Sequence, residues 1–307
     1  MKESNQSKVS VIIPFYNGVE WLCEAVQSAL NQTYKNLEVI VVNDGSKEDV
    51  SAFLEKYGDK IKYFYQENAG SAAARNLAIR NATGDYYALL DSDDIWFPEK
   101  TAKQIAFMEK SGALWSHTGF HYWWPETDKK TTPDVSKNYG DVFVRLLVAF
   151  KVATPTVIIN AKCFKDNPDI VFPVHMRKAQ DFGLFIQFAK KYPMGVVEEP
   201  LANIRMRGTN TNSRAMVRIQ ANTRTLNSIR QDTTGLYSDT PGMVKFLYGL
   251  YELNGKIVNT LAKLFKMPDG VQEKLAKVLW VLPFSLERIY AKHLAQKGTR
   301  GYEFLKE

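Results

Sequence analysis

Four short apolar runs divide the first part of the chain and predict a layered fold of strands and helices. They cover residues 8–13, 37–42, 61–65 and 85–90. Runs of this length that are mostly apolar are typical of parallel strands buried on both faces. Between them, apolar residues recur at helical spacing. The alternation predicts an α/β fold with a mostly parallel, Rossmann-like central sheet flanked by helices.

The segments between these runs predict helices over residues 19–30, 47–57 and 71–81. Ser71 follows a glycine and precedes an alanine-rich segment, so we expect its side chain to cap the third helix. Pro14 has no backbone N–H to donate, and we expect it to end the first strand.

The pattern after residue 94 is less regular and predicts short strands mixed with helices. From residue 214 onward it is helical almost throughout, which predicts two domains, a sheet-containing domain at 1–232 and a small helical C-terminal region at 233–307. In the segment before residue 214, helices are expected at 98–111, 141–150 and 181–191, and strands at 113–124, 155–160, 196–197 and 201–206.

Polar clusters follow three of the predicted strands at the point where each strand ends. Residues 14–17 (PFYN) follow the first strand, Asp44 the second, and residues 91–94 (DSDD) the fourth. The carboxyl ends of parallel strands lie along one edge of a sheet, so we expect these clusters to form one pocket. Three carboxylates in four residues are costly unless a cation neutralises them, which predicts a divalent metal and an anionic ligand.

Local sequence leaves the role of several of these residues open. The first turn lacks the glycines of a dinucleotide-binding loop, and its aromatic and amide groups suit a flat base, although Asn17 could equally cap the next helix. Asp44 could bind a base or ribose, or cap a helix that starts near Lys47. Arg75 could point into the pocket or lie on the surface, and Asp181 by itself is best explained as a helix cap.

Composition and charge narrow the function classes. The chain has 307 residues, of which 45% are hydrophobic, and a formal net charge of +7 that is concentrated in its second half. Such a basic half could attract phosphates, nucleic acid or an anionic membrane, or it could be an ordinary solvated surface. A nucleic-acid-binding protein would explain the charge but not an acidic cluster at the ligand edge.

Neither the cysteines nor the apolar runs indicate an extracellular or membrane-spanning protein. Cys23 and Cys163 lie in unrelated contexts, which favours neither a disulfide framework nor a zinc site. The N-terminus is polar, and the late apolar run at 278–284 is too short to cross a bilayer. We therefore expect a soluble or peripheral protein of the cytoplasm.

Four motifs occur in order within residues 9–99: VSVIIPFYNG, EVIVVNDGS, QENAGSAAARNLAI and YYALLDSDD. Together they closely resemble the family 2 inverting glycosyltransferases of GT-A fold that build bacterial surface polysaccharides. The resemblance weakens up to about residue 213 and does not cover the C-terminal helices.

The resemblance implies a site for a UDP-sugar. Asp44 and Arg75 would contact the uracil, Asp91 would lie near the ribose, and Asp93 would bind Mn²⁺ or Mg²⁺ and through it the diphosphate. The implied nucleotide-binding residues are Pro14, Phe15, Tyr16, Asn17, Asp44, Asn68, Arg75, Asp91 and Ser92.

Two departures from the family pattern concern the catalytic base and the metal and diphosphate site. An acidic pair, usually Glu-Asp, supplies the catalytic base in the family, and Gln180-Asp181 stands there in this chain, so the resemblance implies that Asp181 is the base. Many relatives carry Tyr-Arg-x-His where this chain has Ile204 to Arg207. We therefore expect Arg205 and Arg207 on the diphosphate or the acceptor.

The implied reaction moves a sugar from UDP to a hydroxyl of a glycan, with a lipid-linked acceptor at the inner face of the membrane. The helical tail at 274–297 mixes lysines with apolar residues and could lie at a membrane interface, or pack on the catalytic domain or another subunit. The alternatives are a nucleotidyltransferase acting on sugar phosphates and a non-enzymatic nucleic-acid- or anion-binding protein. We expect no nucleic-acid partner, and the oligomeric state stays open.

Overall fold

A computed structural model describes residues 6–148, 152–175, 180–207, 219, 223, 225–227, 229–231 and 235–307. The described strands are β1 Val9–Phe15, β2 Leu37–Asp44, β3 Lys62–Gln66, β4 Tyr86–Leu89, β5 Ile95–Trp96, β6 Trp115–Trp124, β7 Lys129–Thr131, β8 Ile158–Asn160 and β9 Gly195–Arg205. The helices are α1 Val19–Leu30, α2 Ser51–Tyr57, α3 Ser71–Arg80, α4 Lys100–Ser111, α5 Phe143–Val148, α6 Lys162–Lys165, α7 Gln180–Ala189, α8 Leu236–Asp239, α9 Gly242–Leu264 and α10 Asp269–Gly298.

One sheet holds all of these strands, in the order β3-β2-β1-β4-β8-β6-β9-β5, with β7 paired to β6. The first four strands of this order are parallel, and every residue of β1 is buried, as its apolar run predicts. Beyond β4 the sheet is mixed, because β8 runs antiparallel to both β4 and β6 while β6 and β9 are parallel. The α/β class is confirmed, and the three polar clusters lie in the part of the sheet whose strands are all parallel.

Pro14 does not end the first strand, contrary to the sequence prediction. It pairs with Val42 inside β1, and the strand continues to Phe15. In a strand, alternate residues direct their backbone groups to opposite sides. Ile12 accepts a hydrogen bond from Leu90 on the β4 side, so Pro14, two residues later, also faces that side. Because β4 ends at Leu89, no ladder bond there needs an N–H from Pro14.

The two short strands predicted at 196–197 and 201–206 form the single strand β9. The pairing register between β9 and β6 shifts on either side of Gly119, a residue of β6, which indicates a β-bulge at this position. A Cβ atom on Gly119 would lie 2.2 Å from the carbonyl oxygen of Glu198, so this approach requires glycine.

The described chain forms two compact units, whose boundary differs from the predicted one near residue 232. The first unit contains the described residues up to Val142, those from 152 to Met206, and Thr299–Glu307. The second contains Phe143–Val148 and the described residues between Arg207 and Gly298. The boundary lies near 206 because β9, the last strand of the sheet, ends at Arg205.

Helices dominate the second unit, as the sequence predicts. Its two long helices, α9 and α10, pack against each other and against α5. Tyr248 of α9 donates a hydrogen bond to the Leu147 carbonyl of α5, which joins two segments far apart in sequence. Within the described residues, no helix is both long enough and apolar enough to cross a membrane.

Candidate active site

The three polar clusters meet in one pocket of about 310 Å³ at the carboxyl edge of the parallel strands. This pocket is lined by every residue that the sequence predicts to bind the nucleotide, and by the predicted metal ligand Asp93. Gly70 and Ser71, for which the sequence predicts no contact with the nucleotide, also line it. The complete lining is Pro14, Phe15, Tyr16, Asn17, Asp44, Asn68, Gly70, Ser71, Arg75, Asp91, Ser92 and Asp93. The volume is in the range of small-molecule sites.

A larger pocket of about 590 Å³ lies between α4 and β9 but offers less to a ligand. Two of the carboxylates that line it are already paired: Glu199 contacts Lys103 at 2.8 Å, and Glu198 contacts Lys306 at 2.6 Å. The smaller pocket is the better candidate because polar groups from several strand ends converge on it.

The first turn presents Tyr16, whose side chain is 51% exposed, while Phe15 beside it is buried. Glu48, not Asn17, caps helix α1, since its carboxylate accepts from the backbone N–H groups of Gly18 and Val19 at 2.8 Å each. The proposed cap role for Asn17 is therefore wrong.

Asp44 holds the loop before α3 rather than the helix after it. One carboxylate oxygen accepts from the Gln66 amide at 2.7 Å and the Ala69 N–H at 2.9 Å, and the other accepts from the Gly70 N–H at 2.9 Å. Helix α2 begins only at Ser51, whose N–H is bound by Asp49, so the capping alternative for Asp44 is wrong. By fixing this loop, Asp44 sets the position of Asn68 in the pocket wall.

Arg75 points into the pocket and is 8% exposed, which rules out the surface alternative. Its guanidinium lies 2.5 Å from a carboxylate oxygen of Asp91 and over the ring of Phe172, 5.3 Å from the centroid. Alanines 72 and 74 are fully buried, which lets α3 approach the sheet closely enough for this contact. The Nε of Arg75 is buried without a hydrogen-bond partner among the described residues.

The DSDD segment is a turn in which the last carboxylate is structural. Asp94 is 3% exposed and accepts from the backbone N–H of Arg205 at 2.7 Å. Burial raises the pKa of the Asp94 carboxyl well above its usual value, and the charges of Asp93 and Asp91 raise it further. Asp91 and Asp93 instead line the pocket and are only partly buried.

Asp181 lies next to the pocket rather than in its wall. It is the second residue of α7, and its carboxylate accepts from the Thr154 hydroxyl at 3.1 Å. Burial raises the pKa of Asp181. The charge of Arg75 lowers this pKa and the charge of Asp91 raises it, so Asp181 is close enough to both pocket residues to interact with them electrostatically. Ser71 joins α7 to the pocket by donating to Gln180 at 2.6 Å, so it does not cap α3 as predicted.

Arg205 is committed to contacts other than those predicted for it. Its Nε donates to the Asp93 carbonyl at 2.8 Å, and a terminal nitrogen binds Glu24. The guanidinium lies over the rings of Trp21 and Trp123, at 5.8 and 4.8 Å, and its side chain is 6% exposed. Arg205 therefore holds the DSDD turn in place through its hydrogen bonds to Asp93 and Asp94. Arg207 is exposed and falls in the second unit, so its assignment to the diphosphate or acceptor stays a prediction.

Comparison with known proteins assigns this architecture to a family. The profile described as "Glycosyl transferase family 2" matches residues 10–181, a range that includes the DSDD turn and Asp181. The chain belongs to glycosyl transferase family 2. An uncharacterized glycosyltransferase of Rickettsia bellii is 38% identical over 207 residues, which are 67% of this chain and 30% of that protein. The chain spans about a third of the length of this and other Rickettsia relatives.

A relative of similar size carries a more specific name. The "UDP-Glc:alpha-D-GlcNAc-diphosphoundecaprenol beta-1,3-glucosyltransferase WfaP" of Escherichia coli is 35% identical over 189 residues, covering 60% of this chain and 70% of that protein. The solved structure of S. aureus TarS 1-349 in complex with UDP-GlcNAc superposes with a TM-score of 0.58 at 19% identity, over 93% of this chain and 92% of that chain. This similarity supports the GT-A fold.

The donor set of this family 2 glycosyltransferase fits a divalent cation that also binds its substrate. Among the described residues, no group of three or more His, Cys, Asp or Glu side chains is arranged to hold an ion by itself. Mg²⁺-type ions in phosphate sites usually take one or two carboxylates, with phosphate oxygens and water completing the shell. Asp93 and Asp91, with the Ser92 hydroxyl between them, provide hard oxygen ligands on the pocket wall.

Proposed function

We propose that this chain transfers a sugar from a UDP-sugar to a hydroxyl group of a glycan, with inversion at the anomeric carbon. The observation that carries the proposal is the convergence of a base-sized polar pocket, the carboxylates of Asp91 and Asp93, and a partly buried carboxylate, Asp181, around Arg75. Family membership supports the reaction class, and the named relatives support UDP as the nucleotide.

The pocket has two chemically distinct ends in this proposal. Tyr16, Asn17 and Asn68 offer an aromatic ring and two amides to the base and ribose. Asp93 would hold Mn²⁺ or Mg²⁺ at the other end, next to Asp91, which the family resemblance places near the ribose. Such an ion, when bound, neutralises the negative charge that develops on the departing diphosphate. The Pyrobaculum calidifontis mannosyltransferase solved with GDP-Man and Mn²⁺ has the same fold, at a TM-score of 0.58 and 14% identity.

Asp181 provides the remaining requirement, a base for the acceptor. The acceptor oxygen attacks the anomeric carbon and loses its proton to the Asp181 carboxylate. A new carbon–oxygen bond forms as the bond to the diphosphate breaks, and its electron pair leaves with UDP. General-base catalysis of this kind contributes about 10²- to 10⁴-fold. The raised pKa of Asp181 matches this role, because a more basic carboxylate accepts a proton more readily.

The name of the E. coli relative suggests the acceptor class. It describes a sugar linked to diphosphoundecaprenol, and we propose a lipid-linked glycan as the acceptor of this chain as well. The sugar that is transferred depends on residues outside the shared motifs, so the donor is proposed only at the level of the nucleotide.

The first test separates donor binding from catalysis. Asp181→Asn keeps the size and hydrogen-bond acceptor of the side chain but removes the base, so transfer should fall by about 10²-fold or more while UDP affinity stays within about twofold. Calorimetric titration with UDP and a product assay measure the two effects. Asp59→Asn, an exposed carboxylate in the 3₁₀ turn after α2, is the control for loss of one charge. A variant that loses UDP binding together with transfer would contradict the assignment of Asp181 as the base.

The second test concerns the metal. Asp93→Asn should weaken UDP binding in the presence of Mn²⁺ and have little effect in EDTA, because the carboxylate acts through the ion. Calorimetry with and without the chelator gives both values. Asp85→Asn is the control for a carboxylate just before β4, at the opposite end of the strand. Wild-type transfer at full rate in EDTA would overturn the metal site.

A further inference from the structure

The turn between α9 and α10 exposes large apolar side chains between lysines. Leu264 is 70% exposed and Phe265 67% exposed, and Lys263 and Lys266 on either side are exposed as well. Soluble proteins seldom leave two adjacent large apolar residues in water at a protruding turn without an interaction that uses them.

Helix α10, which follows the turn, has a second set of exposed apolar residues along one face. Val271, Val278, Leu282 and Ile289 are separated by seven, four and seven residues, so they lie on one side of the helix. Their exposed fractions are 45%, 70%, 62% and 69%. The opposite side of α10 supplies the contacts with α9, for example through Ala276, which is fully buried. The exposed stripe is therefore additional to the face that folds the unit.

Beyond Asp269, which is exposed at the start of α10, the exposed charges beside the stripe have one sign. Lys274, Lys277, Arg288 and Lys292 are exposed on α10 next to the apolar residues. The acids that follow Val271 in the helix, Glu273 and Glu287, are partly buried, and Glu287 accepts a hydrogen bond from Tyr251 of α9. Among the described side chains of residues 271–298, the exposed charges are all basic.

We infer that this docking surface, formed by Lys263–Lys266 and the exposed face of α10, binds an anionic lipid bilayer. The apolar residues would enter the boundary between headgroups and acyl chains, and the lysines would contact the anionic headgroups, with α10 lying in the plane of the membrane. Charge favours this occupant over a second copy of the chain. A symmetric dimer through the same surface would bring the two basic rows against each other.

Binding to lipid does not depend on the proposed sugar transfer. The Asp181→Asn variant should therefore bind vesicles as the wild type does, and failure of either proposal can be recognised separately. If the acceptor is lipid-linked, the docking surface would raise its local concentration at the pocket. That consequence rests on the proposed function.

Vesicle flotation of the full chain tests the inference. We expect the wild type to float with vesicles of phosphatidylcholine and phosphatidylglycerol in a 3:1 ratio and not with phosphatidylcholine alone, and to be released by high salt. Lys274→Glu/Lys277→Glu and Leu264→Ser/Phe265→Ser should each lower the partition coefficient by roughly tenfold or more. Phe304→Ser, at a phenylalanine that is 59% exposed in the first unit, is the matched control and should bind normally.

Two results would overturn the inference. The first is equal flotation of the wild type and both double variants, or no flotation of the wild type. The second is a wild-type dimer, detected by light scattering, that the Leu264→Ser/Phe265→Ser variant converts to a monomer, since the surface would then be an interface between copies. Thermal melting of each variant checks that the substitutions leave the fold intact.

Discussion

As the proposed base, Asp181 would have to be ionised, yet its carboxylate is partly buried, where charge is poorly solvated. Burial raises its pKa above the value in the unfolded chain. The folded protein therefore holds this proton more tightly than the unfolded protein does. The stability contributed by the protonated group is present at low pH and lost as pH rises through the folded-state pKa. The group proposed as the base thus destabilises the fold when it is ionised at neutral pH.

Asp181→Asn should raise the melting temperature at neutral pH, because the variant carries no charge at this site. The difference from the wild type should shrink toward about pH 4, the ordinary range of an aspartate pKa, where the wild-type carboxyl becomes protonated. Thermal melts of both proteins across this pH interval measure the effect. A variant less stable than the wild type at neutral pH would show that the bonds from Thr154 and Phe182 need the charged carboxylate.

The acidic limb of the activity profile should report the same group. Transfer requires the ionised base, so kcat/KM should fall with decreasing pH around a midpoint above the ordinary aspartate value of about 3.9. Initial rates with the UDP-sugar at several pH values give this midpoint. A limb at or below the ordinary value would mean that another group controls the reaction.

Sequence patterns predicted the position of each parallel strand and the pocket at their ends, because both depend on local apolar runs. They did not predict which side chains hold the turns. Glu48 caps a helix that begins about thirty residues before it, and Asp44 binds a loop that follows β3. Both contacts join segments that become neighbours only when the sheet forms. The local sequence instead suggested that Asn17 caps the helix that follows it and that Asp44 caps the helix predicted near Lys47, because each is a suitable capping residue close to a helix start.

Arg205 connects three elements. It belongs to β9, its side chain binds Glu24 of α1, and it donates to the Asp93 carbonyl of the DSDD turn. Lysine cannot lie flat between two indole rings while it donates in two directions. Arg205→Lys should therefore lower the free energy of unfolding by about 1–3 kcal/mol, since the Asp93 carbonyl loses its partner. The substitution should also weaken UDP binding in the presence of Mn²⁺, because the turn that carries Asp93 becomes less fixed. This effect needs no direct contact between residue 205 and UDP.

Arg230→Lys is the matched control for this prediction, since Arg230 forms an ion pair with Glu252 and its side chain is 42% exposed. Its effect on stability should stay within about 1 kcal/mol. Urea denaturation and calorimetry with UDP measure the two quantities for each variant. Loss of UDP affinity in Arg205→Lys at unchanged stability would instead favour the direct contact with the diphosphate that the sequence predicts.

At the scale of the whole molecule, the chain returns to its first unit at the end. The sequence predicts a helical region throughout 233–307, because residues 299–307 are too few and too polar to show a pattern of their own. In the structure, the Glu307 N–H donates to the Val196 carbonyl at 2.9 Å, and the Glu307 carbonyl accepts from the Glu198 N–H at 2.6 Å. Leu305 is 1% exposed and belongs to the core around the sheet.

This arrangement predicts that the sheet-containing unit depends on a residue at the far end of the sequence. Leu305→Ala should lower the free energy of unfolding by about 2–5 kcal/mol, as for other buried leucines. Phe304→Ala removes a larger side chain that is 59% exposed, and its effect should stay within about 0.5 kcal/mol. Urea denaturation followed by tryptophan fluorescence compares the two variants. Equal stability of the two would mean that residues 299–307 do not pack on the sheet, whereas the expected difference would make these residues part of the catalytic unit.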